Sequence, residues 1–364
     1  MVAGLRVLLV SQPVTDGVAV CVRDLAAAGV AAGVDVTVAC PAGGDLPGWA
    51  TGAGASWERV DMGRAPAPGD AAAAARVRRL AADRDVVHLH SSKAGAVGRL
   101  ALAATPRGRR PGSAFTPHGW SWLVGGRLAP AYRAAERALA GVTDTVVCVS
   151  GDELDGGRAV LGRAAARARV IENGVDVERF SPGGEAAARD GDPLLVCVGR
   201  LARQKGQDVA VDALARMADR RARLRLVGTG PEAAAVADRA AAAGVADRVE
   251  LVGAVPDPAP HLRAADVVLV PSRWDGLSLA LLEAMAAGAA VVATRVSGAS
   301  VLDGVGLLVP PDDPGALAAA ADRLLAHPDE RARLGAAARA RAVERFDVRR
   351  SVAATLDLWR ELAR

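Results

Sequence analysis

The stretch that decides the fold is Ser272-Arg273-Trp274-Asp275-Gly276-Leu277-Ser278-Leu279-Ala280-Leu281-Leu282-Glu283-Ala284-Met285. Its second half is apolar except for Glu283, so it predicts a buried helix that carries one carboxylate. An ionised glutamate is almost never fully buried without a partner, because desolvation of the charge is costly. The partner of Glu283 is therefore either an arginine or a backbone amide of the core, or the hydroxyl groups of a bound ligand.

Short valine-rich strands alternate with alanine-rich helical stretches on both sides of this segment, which is typical of parallel sheets covered by helices. Each half of the chain contains enough strands for one doubly wound α/β domain. In the first half, the predicted strands are residues 6–10, 34–39, 86–90, 113–116, 145–149 and 169–171. In the second half, they are residues 194–198, 224–227, 249–252, 267–270, 290–293 and 306–309.

The length of 364 residues predicts two domains, because it exceeds one ordinary hydrophobic core. We place Rossmann-like domains at residues 1–180 and 193–345, joined by a linker at 181–192 that is rich in Gly, Asp and Pro. Residues 346–364 are expected to form a helix that packs back toward the first domain. Ligands of open α/β sheets bind beyond the carboxyl ends of the strands, so we expect a site in a cleft between the two domains.

Composition restricts the class of protein. Hydrophobic residues make up 51% of the chain and charged residues 24%, as in globular proteins. No run of 18 apolar residues is free of charge, so no membrane-spanning helix is expected. The first residues lack a signal-peptide pattern, and we expect a cytoplasmic location. The four cysteines show no CxxC spacing and are predicted to be reduced core residues, not metal ligands: Cys21, Cys40, Cys148 and Cys197.

Positive charge is concentrated in residues 76–137, which carry twelve basic and three acidic side chains, a net charge of +9. This excess predicts an acidic acceptor or peripheral contact with an anionic membrane at its inner face, or else a solvated arginine-rich helix face. Nucleic acid is disfavoured as a partner, because aromatic residues make up only 3% of the chain and do not interleave with the basic run.

A first motif, Val198-Gly199-Arg200-Leu201-Ala202-Arg203-Gln204-Lys205-Gly206, directly follows a predicted strand. Its two glycines permit close approach of the backbone to a ligand. Arg200 and Lys205 place a forked cation and a compact one at the strand end, which suits a diphosphate and can replace a divalent metal. A solvated loop with two surface cations is the alternative.

A second motif, Asp275-Gly276-Leu277-Ser278, lies between the predicted strand 267–270 and the helix that carries Glu283. The free amides of a helix start form an anion site. Glu283 lies five residues past Ser278, roughly 7–8 Å along the axis at ~1.5 Å per residue, which suits a sugar ring next to a phosphate. Asp275 is alternatively only a helix cap.

A third motif, Thr116-Pro117-His118-Gly119-Trp120-Ser121-Trp122, follows the predicted strand 113–116. His118 is placed at a sheet end, where a structural and a functional role are both open. His90-Ser91-Ser92-Lys93 puts further polar groups at a strand end before a helix. His88 and His90 share one strand face, but no third ligand has suitable spacing, so a metal site is not expected.

Gly17, in Val14-Thr15-Asp16-Gly17, marks the first turn from strand to helix. This turn lacks the GxGxxG pattern, which argues against a nicotinamide or flavin site in the first domain. We therefore expect no cofactor.

Together these segments resemble the retaining family 4 glycosyltransferases, which have the GT-B fold of two Rossmann-like domains. The resemblance covers nearly the whole chain, and it depends on the order and spacing of the motifs. They are Val198-Gly199-Arg200 with Lys205-Gly206, Asp275 with Glu283-Ala284-Met285-Ala286-Ala287-Gly288, Glu172-Asn173-Gly174-Val175-Asp176, and Pro117-His118-Gly119. The segment His90-Ser91-Ser92-Lys93-Ala94-Gly95 is similar to members that build bacterial surface polysaccharides.

The resemblance implies a site for a nucleoside-diphosphate sugar, with the diphosphate on Arg200 and Lys205, the ribose hydroxyls on Glu283, and the donor sugar facing Asp275 and His118. The catalytic residues would be His118, Arg200, Lys205 and Asp275. Donor-binding residues would be Gly17, Gly199, Arg200, Lys205, Gly253, Gly276, Leu277, Ser278 and Glu283. On the acceptor side we place His90, Lys93 and Trp120.

The sequence departs from the family pattern at two places. Asp275 stands where the family usually has Glu, eight positions before Glu283, and is one methylene shorter. The stretch 297–306 is shorter than usual and lacks an expected Glu. Both departures leave the donor sugar open, whereas the diphosphate site is unchanged.

The expected reaction is metal-independent transfer, with retention of configuration, to a hydroxyl of a saccharide, a lipid-linked glycan or a secondary metabolite. Such a reaction belongs to polysaccharide or antibiotic biosynthesis. No second carboxylate is placed as a nucleophile, so front-face attack is predicted, with the leaving diphosphate taking the acceptor proton. Two alternatives remain, a nucleotide-sugar epimerase of the same fold and a catalytically silent nucleotide-sugar-binding homologue.

Overall fold

The computed structural model describes residues 4–364, which form two compact units. The first unit runs to Asn173 and also includes Arg349–Arg364. The second unit is Gly174–Val348. Both units have the α/β architecture that the alternation of strands and helices predicts.

Within the described residues, the first unit is built on seven parallel strands in the order β3-β2-β1-β4-β5-β6-β7. The strands are β1 (Arg6–Ser11), β2 (Asp35–Cys40), β3 (Ser56–Arg59), β4 (Val86–His90), β5 (Gly112–Thr116), β6 (Thr145–Cys148) and β7 (Arg169–Val170). The helices that precede the second unit are α1 (Asp16–Ala31), α2 (Leu46–Gly52), α3 (Asp70–Leu80), α4 (Ser92–Ala103), α5 (Ala129–Leu139) and α6 (Gly151–Leu161).

The second unit, as far as the structure describes it, contains six parallel strands in the order β10-β9-β8-β11-β12-β13. They are β8 (Leu194–Val198), β9 (Arg223–Val227), β10 (Val249–Gly253), β11 (Val267–Val270), β12 (Val291–Thr294) and β13 (Leu307–Val309). The remaining helices are α7 (Gln207–Arg216), α8 (Ala233–Ala242), α9 (Ala259–Ala264), α10 (Leu279–Ala286), α11 (Pro314–Ala326), α12 (Pro328–Arg345) and α13 (Val348–Leu362).

All twelve predicted strands are present, and β3 is the strand that the sequence analysis missed. Its residues, Ser56–Arg59, are exposed or only partly buried, and it lies at the edge of the sheet. An edge strand needs no continuous apolar run, because one side faces solvent. The valine-rich pattern that identifies the central strands is therefore missing from it.

The first unit buries both faces of its sheet, as β1 illustrates. Leu8 and Val10 belong to one hydrophobic cluster, whereas Val7 and Leu9 belong to another. Neighbouring side chains of a strand point to opposite faces, so a strand covered on both sides is apolar throughout. The last helix of the chain covers the second of these faces with Trp359, which is fully buried.

Part of the basic region 76–137 is used inside the first unit. Arg99 is fully buried on α4, forms an ion pair of 2.7 Å with the buried Glu136 of α5, and lies over the ring of Phe115. Lys93 at the start of α4 forms an ion pair of 2.5 Å with Asp70. Glu136 is already counted in the net charge of this region, so only the Lys93–Asp70 pair neutralises part of the +9 excess. Within residues 4–364, no helix has both the length and the apolar character that crossing a membrane requires.

Candidate active site

The second unit brings Lys205 and Asp275 into direct contact. Lys205 follows β8 and Asp275 follows β11, and these two strands are neighbours in the sheet. The Lys205 ammonium donates to Asp275 Oδ2 at 2.5 Å, and both side chains are mostly buried. The sequence analysis predicted both residues for the site, and the sheet order now places a cation and a carboxylate together at the carboxyl ends of two strands.

Asp275 is held by its own loop as well. Its Oδ1 accepts from the amide of Gly276 at 3.1 Å, and the Ser272 hydroxyl donates to its Oδ2 at 3.4 Å. Helix α10 begins four residues later, at Leu279, and its N-cap position is Ser278. The alternative in which Asp275 is only a helix cap is therefore wrong. Its carboxylate instead fixes the loop that leads into α10.

Arg273 also holds this loop in place, and the sequence analysis did not identify it. Its guanidinium donates to both carboxylate oxygens of Asp208, at 2.9 and 2.7 Å, and to Asp312 at 2.6 Å. Hydrogen bonds to Asp208, and then to Asp312, raise the pKa of Arg273 above its ordinary value. Its one sequence signal was its position inside the 272–285 stretch, which is weak in a chain with 45 basic residues.

A small cavity lies beside the start of α10. It is lined by the loops after β11 and β12, and Ser272, Asp275, Ser278, Thr294 and Ser297 bring polar groups to it. Within the part of the chain described, the buried Oγ atoms of Ser278 and Ser297 have no hydrogen-bond partner. Unpaired hydroxyls beside a helix start, where backbone amides are also free, make a suitable place for anionic and hydroxyl groups.

Gly298 allows the loop after β12 to approach this helix start. It has φ of +79°, and a Cβ at this position would lie 1.8 Å from the carbonyl oxygen of Gly276. Any side chain would therefore push the two loops apart. Gly206 has φ of +67°, and a Cβ at this position would lie 2.1 Å from the carbonyl oxygen of Pro271, so a side chain is excluded there as well.

Glu283 lies on the second turn of α10 and is only partly buried, so the expectation of full burial is wrong. Leu279, Ala280 and Glu283 share the more exposed face of the helix, whereas Leu282 and its neighbours face the core. A partly exposed carboxylate is accessible to a ligand without the full cost of desolvation.

The other predicted donor residues of the second unit lie at strand ends. Gly199 follows β8 with φ of +144°, and the carbonyl of the adjacent Arg200 accepts from the Gln207 side chain at 3.1 Å. Gly253 ends β10 with φ of +85° and open space at its Cβ position. Strand-end backbone of this kind is accessible to a ligand.

In the first unit, three histidines form a chain at the ends of β4 and β5, in which His88 and His90 are buried and His118 is partly buried. His90 Nδ1 lies 3.1 Å from His118 Nε2, and the rings of His88 and His90 are 4.1 Å apart. Burial lowers the pKa of His88 to about 3 and that of His118 to about 4. All three rings are therefore neutral at neutral pH. Among the described residues, no group of three His, Cys, Asp or Glu side chains could hold a metal ion.

Glu153 holds the loop that carries His118, and it was also missed. Its carboxylate is fully buried and accepts from the amides of Gly119 at 2.5 Å and of Val149 at 2.7 Å. The signal for it was the sequence Ser150-Gly151-Asp152-Glu153, a capping box in which the Ser150 hydroxyl accepts from the Glu153 amide at 3.1 Å. This box starts α6 and aims its glutamate at the His118 loop.

The remaining predicted residues of the first unit have mixed surroundings. Gly17 lies in the first turn of α1, directly after Asp16, which has φ of +63°. Trp120 is buried in the core, where it stacks on Trp122. Lys93 is occupied by Asp70 and by the carbonyl of Ala65. The acceptor-side assignments of Trp120, Lys93 and His90 stay predictions.

Two family models match this chain over most of its length. The model described as Glycosyltransferase Family 4 matches residues 15–179, and the model described as Glycosyl transferases group 1 matches residues 192–327. The chain belongs to the family 4 glycosyltransferases. The predicted site residues of both units fall inside the matched regions of this glycosyltransferase.

Curated relatives agree with this family. This glycosyltransferase is 34% identical to a GDP-mannose-dependent alpha-(1-6)-phosphatidylinositol monomannoside mannosyltransferase of Mycolicibacterium smegmatis, over 76% of this chain and 77% of the relative. It is 35% identical to a D-inositol 3-phosphate glycosyltransferase of Frankia alni, over 71% of this chain and 70% of the relative.

Solved structures show the same fold. The glycosyltransferase matches the sucrose-phosphate synthase of Thermosynechococcus elongatus with a TM-score of 0.84 and 25% identity, over 98% of this chain and 99% of that one. It also matches Anabaena Alr3699/HepE in complex with UDP, with a TM-score of 0.80 and 21% identity, over 98% of this chain and 100% of that one. The predicted GT-B fold is confirmed.

Proposed function

We propose that this glycosyltransferase moves a sugar from a nucleoside-diphosphate sugar to an acceptor hydroxyl, with retention of configuration and without a metal ion. The observation that carries the proposal is the Lys205–Asp275 ion pair of 2.5 Å beside the start of α10. It sets a cation for the diphosphate and a carboxylate for the sugar side by side. The cofactor-free expectation belongs to the same proposal, because Arg200 and Lys205 take the place of a metal.

Each group has a distinct task in this proposal. Arg200, Lys205 and the free amides at the start of α10 receive the diphosphate, and Glu283 accepts hydrogen bonds from the ribose hydroxyls. In the reaction, the bond from the anomeric carbon to the diphosphate breaks and a bond to the acceptor oxygen forms on the same face. The acceptor proton passes to the leaving diphosphate, whose charge Arg200 and Lys205 stabilise.

The relatives favour GDP-mannose as the first donor to test. Three of the curated relatives at 34–35% identity are named as GDP-mannose-dependent mannosyltransferases. Solved structures with this fold hold UDP or UDP-glucose, so a uridine nucleotide is the second candidate. Asp275 in place of the usual Glu shortens the side chain by one methylene, which leaves the identity of the donor sugar open.

Thermal shift with nucleotides tests the donor. We expect GDP and GDP-mannose to raise the Tm of the chain, with a stabilisation of about 2.7 kcal/mol at 100 times the Kd, and UDP or ADP to raise it less. The variant Lys205→Ala should lose most of this shift. A chain whose Tm responds to none of the three nucleoside diphosphates or their sugars would contradict the proposal.

Turnover separates the alternatives that the sequence left open. A glycosyltransferase releases nucleoside diphosphate in proportion to an added acceptor. An epimerase alters the sugar without any acceptor, and a silent homologue binds nucleotide without turnover. Donor consumption with and without an inositol-containing acceptor therefore distinguishes the three.

The acceptor side leads to a second part of the proposal, peripheral contact of a cytoplasmic protein with an anionic membrane. Val124 and Leu128 are 51% and 60% exposed, on the segment between β5 and α5, and Arg127 between them is exposed. Apolar side chains that flank a basic one are typical of segments that lie on an anionic membrane. A lipid-linked acceptor, such as the relative named for phosphatidylinositol monomannoside uses, would be met at that surface.

Vesicle sedimentation tests this contact. We expect the chain to bind vesicles that contain anionic phosphatidylinositol, and Leu128→Ser to weaken binding about 3–10-fold through lost apolar burial. The matched control is Leu251→Ser, because Leu251 is 41% exposed on β10 of the second unit. Equal losses from both variants, or binding that ignores lipid charge, would contradict a specific membrane surface.

A further inference from the structure

His88 has a tautomer that its neighbours determine. The indole Nε1 of Trp359 lies 3.2 Å from His88 Nδ1, and an indole nitrogen only donates. His88 Nδ1 is therefore an acceptor, and the proton of the neutral ring is on Nε2. This Nε2 lies 2.8 Å from Thr116 Oγ1, which accepts from it. Trp359 of the C-terminal helix thus fixes one end of the histidine chain.

A single proton lies between His90 Nδ1 and His118 Nε2, which are 3.1 Å apart, so one nitrogen donates and the other accepts. In the described part of the chain, the other ring nitrogen of His90, Nε2, is buried and has no hydrogen-bond partner. If His118 Nε2 donated to His90 Nδ1, the proton of the neutral His90 ring would be on its own Nε2. That N–H would be buried without an acceptor. If His90 donates from Nδ1, only a lone pair is left without a partner. Orphaned buried N–H groups are the rarer of the two, so the second arrangement is favoured.

We propose that His90 is a positioning residue that fixes the tautomer of His118, so that His118 presents an N–H donor at Nδ1 and no proton-accepting lone pair. His118 Nε2 accepts from His90, and the proton of neutral His118 is on the opposite nitrogen. The loop that carries His118 is constrained, because His118 has φ of +53° and the adjacent Gly119 amide donates to Glu153.

The consequence rests on the proposed function together with the place that the family resemblance implies for His118, beside the donor sugar. His118 would donate a hydrogen bond to a sugar oxygen and would not act as the base that deprotonates the acceptor. The acceptor proton then has no histidine to receive it, which agrees with its transfer to the leaving diphosphate. His90 acts through His118 and needs no contact with the substrate.

Nitrogen NMR of the whole protein tests the tautomer directly. The chain has only five histidines, so two-bond ¹⁵N–¹H spectra of histidine-labelled protein give a small set of resolved patterns. Single Gln variants of the two histidines of the second unit, His261 and His327, identify their own patterns. The remaining three patterns belong to His88, His90 and His118, and we expect two of the Nδ1–H type and one of the Nε2–H type. We expect the Nδ1–H pattern for His118 and the Nε2–H pattern for His88. An Nε2–H pattern for His118 would overturn the proposal.

Two substitutions at His90 separate tautomer control from simple packing. Asn keeps an N–H near the position of Nδ1, whereas Asp presents only acceptors and forces the His118 proton onto Nε2. We expect His90→Asp to switch the His118 pattern and lower kcat about 10–100-fold, the range known for outer-shell partners of metal-bound histidines. His90→Asn should keep both the pattern and most of the activity.

Equal kcat in the Asp and Asn variants, with the pattern switched in only one of them, would overturn the functional half of the inference. If His90→Asp does not fold, the wild-type spectrum still decides the tautomer. Absence of nucleotide binding in the thermal shift would refute the proposed function and leave the NMR result unaffected. The two failures are therefore distinguishable.

Discussion

Replacing Lys205 by alanine is expected to lower kcat for sugar transfer by about 10²–10³-fold, the usual cost of removing one preorganised group that stabilises charge in the transition state. Negative charge grows on the leaving diphosphate as its bond to the anomeric carbon breaks. Lys205 is mostly buried beside the helix start, so water does not replace the lost cation. The measurement is release of nucleoside diphosphate under saturating donor and acceptor.

Two further variants show whether Lys205 acts on the diphosphate or only holds Asp275. Asp275→Asn breaks the ion pair and keeps the cation, so it should impair turnover while GDP still binds. Lys205→Ala should weaken GDP binding as well. Arg239→Ala is the matched control, because Arg239 pairs with Asp212 in an exposed ion pair of the same unit. Full activity in Lys205→Ala, or a similar loss in Arg239→Ala, would refute the assignment.

The sequence predicted the central strands well, because their burial on both faces imposes continuous apolar runs. The predicted segments 86–90, 194–198 and 267–270 coincide with β4, β8 and β11. Edge strand β3 escaped prediction, because its exposed residues need no such run. A run of apolar residues is thus what makes a strand visible in the sequence, and the exposed edge strand β10 was predicted because it still contains Val249, Leu251 and Val252.

The sequence proposed residues for the candidate site but did not predict which of them contact one another. Lys205 and Asp275 were both identified from their positions after strands, yet their ion pair depends on β8 and β11 being neighbours. That adjacency is a property of sheet order, which local sequence does not encode. The same holds for Arg273, whose two carboxylate partners come from distant segments.

The histidine chain shows a second kind of limit. His88 and His90 were placed on one strand face by their spacing, and His118 at a strand end. Their hydrogen bonds required β4 and β5 to pair in register, with His88 opposite Ala114 and His90 opposite Thr116. The indole of Trp359 reaches this chain from a helix 271 residues away in sequence. No local sequence pattern predicts a contact between residues so far apart in the chain.

Acidification is expected to destabilise the first unit steeply, and the three clustered histidines, His88, His90 and His118, are the cause. Burial lowers the pKa of His88 to about 3 and of His118 to about 4, and burial with the nearby His88 and His118 rings lowers the pKa of His90 well below its ordinary value. Unfolding returns all three rings to water, where they titrate at about 6.5.

The sign follows from the protons bound in each state. Between about pH 6.5 and pH 4 the unfolded chain binds more protons than the folded one, so the free energy of unfolding falls as pH falls. Each histidine contributes about 1.4 kcal/mol per pH unit once its unfolded form is protonated, so three give about 4 kcal/mol per unit. This stability is fully present above about pH 6.5 and is lost toward the folded pKa values.

Urea unfolding followed by tryptophan fluorescence measures this slope in the first unit. Of the six tryptophans only Trp274 belongs to the second unit, so Trp274→Phe makes the signal specific. In that background, His88→Gln should remove about one third of the slope between about pH 6.5 and pH 5. His327→Gln, on an exposed histidine of the second unit, should leave it unchanged. A free energy of unfolding that does not change with pH in the parent protein would mean that the three rings are already protonated in the folded state. That result would contradict the neutral, hydrogen-bonded histidines.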